Sequence, residues 1–128
     1  MTIDLSAFPI TRKWPAQHPE RLQLYSLPTP NGVKVSIMLE EIGLPYEPHL
    51  VSFERNDQLS PEFISLSSNN KIPAILDPHG PGDQPLALFE SSPAALLTVA
   101  VLSTVTGPPA SYTRDGSMSA VTVTLRSV

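Results

Sequence analysis

The chain has no cysteine among its 128 residues. Disulfides, thiolate catalysis by the chain itself and cysteine-ligated metals are therefore excluded. Positive charge is also scarce: 8 Lys and Arg stand against 12 Asp and Glu, for a formal net charge of −4. That balance argues against nucleic acid or an anionic membrane surface as a partner. No run approaches the roughly 18 apolar residues that cross a bilayer. Leu5–Ile10, preceded by Asp4, is too short and interrupted for a signal-peptide core, so a cytoplasmic protein is expected. The three histidines, His18, His49 and His79, form no i, i+4 pair and no cluster with carboxylates, so no metal site is expected.

What is present is one domain's length of chain at 41% apolar residues, enough for a core. Residues 1–20 hold three prolines and no sustained periodicity; they read as an extended arm anchored by Trp14. "LQLYS" (22–26) alternates like a strand. "LPTPNG" (27–32) is a turn. A helix is predicted over Gly32–Ile42, with Val35, Met38, Leu39 and Ile42 on one apolar face. Gly43 is placed to end it and Pro45 to prevent its continuation. "EPHLVSF" (47–53) reads as a second strand. Ser60, Pro61 and Glu62 open a short helix over 60–66. "AILD" (74–77) and "LALF" (86–89) read as third and fourth strands joined by a loop, and Glu90-Ser91 as the start of another helix.

The order β-α-β-α-β-β-α implies a parallel first pair of strands and an antiparallel last pair. The expected fold is α/β: a four-stranded mixed sheet in a thioredoxin-like arrangement, over residues 21–105. Pro73 stands where the third strand's hydrogen bonds should begin, although proline has no N–H to give.

"LYSLPTPNGVKVSIMLEEIGLPYEPHLVSF", "NDQLSPEF", "NNKIPAILDP" and "PLALFES" together resemble the N-terminal domain of a glutathione transferase. The resemblance is strongest to the Nu class, related to glutathione-dependent disulfide-bond oxidoreductases, and covers roughly residues 5–91. It implies a cis Ile72–Pro73 bond that turns the Ile72 backbone outward to pair with the cysteinyl backbone of glutathione, as an added strand would. It implies that Glu90 and Ser91 hold the γ-glutamyl end, Glu90 the ammonium and Ser91 the carboxylate. Gln58 and Lys71 sit where the family contacts the glycine end or its neighbourhood. Thr29 and Asn31 face the sulfur, near a helix N-terminus that favours a thiolate. Tyr25 and Ser26 are the alternatives for that role. Each residue also has a plainer reading: Asn31-Gly32 as a turn pair, Glu90-Ser91 as a helix cap, Lys71 as a solvated side chain.

A thioredoxin-like domain without its own thiol would borrow that of glutathione, the implied co-substrate. The implied partners are glutathione and a small disulfide or electrophile, with a homodimer possible. The alternative function is a non-catalytic glutathione-binding module or inactive fragment. After Ser92 the text departs from the family. Residues 93–128 contain 3 charged residues and 11 Ser or Thr. A weak helix to about Val105 and an irregular tail over 106–128 are expected, with "VTVTL" (121–125) as a stray strand. The helical second domain of the family is not expected there; a shifted reading frame, a retained non-coding segment or a truncated gene would each produce such a change.

Overall fold

The computed structural model describes residues 4–90. The expectations for Ser91, for a helix over 91–105 and for the tail lie outside the described residues. The elements run α1 (Ile10–Lys13), β1 (Leu22–Ser26), α2 (Gly32–Ile42), β2 (Tyr46–Leu50), α3 (Pro61–Ile64), β3 (Ala74–Asp77) and β4 (Leu86–Phe89). Short 3-10 turns occupy Asp57–Leu59 and Pro81–Asp83. The four strands form one mixed sheet in the order β2-β1-β3-β4. β1 and β2 are parallel, joined across α2, while β3 is antiparallel to both β1 and β4. This is the predicted thioredoxin-like sheet.

Alternation along β1 divides the core in two, because successive side chains of a strand point to opposite faces. Leu22 and Leu24 pack with Ile75 against Val35 and Leu39 of α2. Tyr25, on the other face, joins Leu5, Ile10, Val51, Phe63, Leu66, Ala74 and Leu76. Burying side chains such as Leu39, Tyr25 and Phe63 completely contributes roughly 1.5–3 kcal/mol each.

α2 spans the predicted residues and ends as predicted. Gly43 takes φ +69°, and the Leu44 N–H reaches back to the Leu39 carbonyl at 3.1 Å. Its apolar face is narrower than expected, since Ile42 stays 43% exposed at the helix end. β2 starts at Tyr46 and stops at Leu50. The chain turns there: Asn56 N–H bonds the Phe53 carbonyl and Asp57 N–H the Ser52 carbonyl. Ser60 caps α3 as predicted, accepting the Phe63 N–H at 3.3 Å.

The N-terminal arm departs from its description as extended. It contains α1, and Leu5 and Ile10 are buried in the core. The spacing of Leu5, Phe8, Ile10 and Trp14 supplies apolar contacts that only the sheet can complete. Trp14 does anchor the arm. Its Nε1 donates to the Leu50 carbonyl at 3.0 Å, and its ring meets Tyr25 and Phe63 edge-on. Lys13 Nζ lies 3.1 Å from the buried Asp57 carboxylate, and Glu47 accepts the Gln17 and His18 N–H groups.

Candidate functional site

Strand register brings the segments that carry Thr29, Asn31, Lys71, Ile72, Pro73 and Glu90 to one end of the sheet. Tyr25 in β1 pairs with Ala74 in β3, and Ala74 pairs with Phe89 in β4. The β1–α2 turn, the Ile72–Pro73 step and Glu90 therefore all leave the sheet from the same edge. In sequence the turn at 27–32 lies at least forty residues from Ile72, and Ile72 lies 18 from Glu90.

In the turn, Thr29 Oγ1 accepts the Gly32 N–H at 3.0 Å, and the Thr29 carbonyl accepts the Val33 N–H. Thr29, rather than Asn31, therefore caps α2. Because that oxygen accepts from the backbone, the hydroxyl proton remains available to donate to an incoming anion or thiolate. Asn31 occupies the N-cap position without a capping bond; its Oδ1 accepts from Lys34 Nζ at 2.9 Å. Ser26 Oγ is engaged with the Gly32 carbonyl at 3.0 Å. Tyr25 is fully buried on the arm side, stacked on His49 with centroids 4.7 Å apart. Burial, reinforced by the Glu47 charge, pushes its hydroxyl pKa far up. Tyr25 packs in the core on that side, and its hydroxyl has no hydrogen-bond partner among the described residues.

The Ile72–Pro73 bond is cis, as the resemblance implied. Pro73 begins the buried run into β3, and its carbonyl accepts the Glu90 N–H at 3.3 Å. Among the described residues, no hydrogen bond uses the Ile72 N–H or C=O. The preceding loop is built on buried Ser67, whose Oγ donates to the Lys71 carbonyl at 3.0 Å while its own carbonyl accepts the Asn70 N–H. Lys71 is exposed. Glu90 is exposed and takes φ +86°, a left-handed conformation unusual outside glycine. Its Oε1 accepts from Asn69 Nδ2 at 2.9 Å. Sequence reading missed Asn69; its only signal was the Asn-Asn pair ahead of the "KIPA" motif. Gln58 lies in the Asp57–Leu59 turn, with a buried Oε1 that finds no partner among the described residues.

Among the described residues, no group of His, Asp and Glu side chains is arranged to hold a metal ion. None of their helices is long and apolar enough to cross a membrane.

Fold and site together define a thioredoxin-like domain whose chemistry-bearing residues gather at the edge where β1 ends and β3 begins. The model for the glutathione S-transferase N-terminal domain matches residues 29–96, and the chain belongs to that family. The disulfide-bond oxidoreductase YfcG of Escherichia coli is 49% identical over 81 residues, covering 62% of this chain and 37% of that protein. A crystal structure of a Burkholderia graminis glutathione transferase, with two glutathione molecules bound per subunit, is 72% identical and superposes with a TM-score of 0.78, covering 81% of this chain and 43% of that one. A Pseudomonas putida glutathione transferase with one glutathione disulfide bound per subunit is 76% identical, with a TM-score of 0.73, covering 82% and 44%. The matched stretch spans less than half the length of each of these relatives.

Proposed function

We propose that this domain binds glutathione at the shared edge of β1, β3 and β4 and presents its thiol to a small disulfide or electrophile. The observation that carries this reading is the register that assembles the Thr29 turn, Ile72 and Glu90 at one edge. These three segments match the three parts of the ligand. The Glu90 carboxylate, with Ser91, takes the γ-glutamyl end. The Ile72 N–H and C=O offer strand-like pairing to the cysteinyl backbone. The Thr29 hydroxyl, with Asn31 beside it at the positive end of α2, faces the sulfur and favours the thiolate. Lys71 and Gln58 serve the glycine end in this reading, and Pro73 holds Ile72 in place.

Disulfide reduction then proceeds by two exchanges. The glutathione thiolate attacks one sulfur of the disulfide, the mixed disulfide forms, and the released thiolate takes a proton. A second glutathione attacks the mixed disulfide, leaving glutathione disulfide and a second thiol. The protein contributes position and thiolate stabilisation, consistent with its lack of cysteine. Dependence on reduced glutathione fits the cytoplasm. Exposed Leu50, Phe53 and Leu59 supply apolar surface for the homodimer that the same reading includes.

The test is a calorimetric titration with glutathione of the 128-residue chain and of Glu90→Ala, followed by a turnover assay on a small symmetric disulfide. Binding that Glu90→Ala weakens, with turnover, supports the full reading. Binding without turnover reduces it to a glutathione-binding module. Absence of binding by a chain that unfolds cooperatively overturns it.

A further inference from the structure

The polar loop before Pro73 does more than deliver Ile72. Its Asn69 side chain crosses to the end of β4 and holds Glu90, 21 residues later in the chain, at 2.9 Å. A carboxylate only accepts, so this contact must come from the amide nitrogen. The bond engages Oε1, and among the described residues the second carboxylate oxygen has no partner. Glu90 needs such a restraint. It is exposed, its backbone sits at φ +86°, and the carbonyl of Pro73 fixes its N–H. An exposed glutamate otherwise samples many rotamers, and ordering it on binding costs affinity. The loop itself is held by buried Ser67, whose Oγ donates to the Lys71 carbonyl and whose carbonyl accepts the Asn70 N–H.

We infer that Asn69 is a positioning residue for the γ-glutamyl ammonium: it pre-orients the Glu90 carboxylate while making no ligand contact of its own. The inference rests on the glutathione reading of the site. It also makes the loop a coupling element, since the segment that presents Ile72 to the cysteinyl backbone sets the carboxylate for the amine.

The experiment compares two ligands: glutathione, and its deamino analogue glutaryl-cysteinyl-glycine, which lacks only the ammonium. Asn69→Ala should weaken glutathione binding about three- to tenfold, the size of one charge-assisted hydrogen bond at an exposed site, and leave the analogue within about twofold. Asn69→Gln, which keeps an amide donor, should recover part of the loss. In a Glu90→Ala background, Asn69→Ala should have no further effect on glutathione, because its target is gone. Equal weakening of both ligands means that Asn69 only shapes the loop, and overturns the inference. So does unchanged glutathione binding by Asn69→Ala. If Asn69→Ala loses its cooperative unfolding transition, Asn69→Asp takes its place. Because its added charge would itself attract the ammonium, that variant is read only by the deamino analogue, whose affinity must stay within about twofold. Asn69→Leu, near-isosteric and without a donor, must weaken glutathione selectively. Failure of the unaltered chain to bind glutathione is a separate outcome that removes the site reading and this inference together.

Discussion

Replacing Gly32 with alanine tests whether the packing at the head of α2 is as tight as the structure shows. A Cβ at this position would lie 1.9 Å from the Leu27 carbonyl oxygen and 2.8 Å from Ser26 Oγ. The Leu27 oxygen cannot swing aside freely, because it accepts the Thr29 N–H at 2.7 Å. Ordinary contact requires the helix start and the turn to separate by about 1.5 Å. That movement breaks or stretches two hydrogen bonds, Thr29 N–H to Leu27 and Gly32 N–H to Thr29 Oγ1, worth about 1 kcal/mol each. Overpacking adds about 1–3 kcal/mol, and the better helix propensity of alanine returns about 1 kcal/mol. The expected net loss is about 2–4 kcal/mol, or roughly 10–20 °C in the unfolding midpoint of a domain this size. Gly43→Ala is the matched control. Its Cβ meets nothing within 4 Å, and only the positive φ opposes it, so it should cost about 1 kcal/mol. Urea unfolding of both variants measures the contrast. A Gly32→Ala protein within about 0.5 kcal/mol of the parent, or less destabilised than Gly43→Ala, would refute the argument.

Three further outcomes follow from the arm and its anchors. Asp57→Ala should destabilise by about 2–4 kcal/mol in urea, because it strands the Ser52 N–H and releases Lys13 and Arg55. Burial raises the Asp57 pKa, but the Ser52 N–H, Arg55 and Lys13 outweigh it and hold the carboxyl below its usual range. Its contribution should be complete above about pH 4 and fade as the pH falls through the lowered native value; Asp57→Ala should remove that acid-dependent part. Burial also lowers the His49 pKa, against an opposing pull from Glu47. Its stabilisation should be present above about pH 6.5 and fall on acidification, and His49→Gln should flatten the unfolding midpoint between pH 7 and 5. Trp14→Ala removes two edge-on aromatic contacts and the Leu50 hydrogen bond, and should cost about 2–4 kcal/mol, with proteolysis appearing first in the arm.

The core alternation of β1, the span of α2, its Gly43 stop and the Ser60 cap are local events. Each depends on residues within a few positions, so the chain text alone determined them, together with the parallel and antiparallel pairings that short and long connections impose. Motif order pointed to the family and to Pro73 in the same way. Other features depend on contacts distant in sequence. Ile10 and Trp14 are too few to announce a helix until the sheet covers them, which is why the arm read as extended. Asn31 is a favourable cap by type, yet Thr29 takes the bond because the turn aims its oxygen at the Gly32 N–H. Tyr25, near the turn in sequence, is buried in the core cluster against which Ile72 packs, because strand side chains alternate and its face is covered by the arm. Asn69 reaches Glu90 only because β3 and β4 pair with Ala74 opposite Phe89. Residue type and spacing thus determined the elements and the family; strand register, set by burial across the sheet, decided which side chains meet.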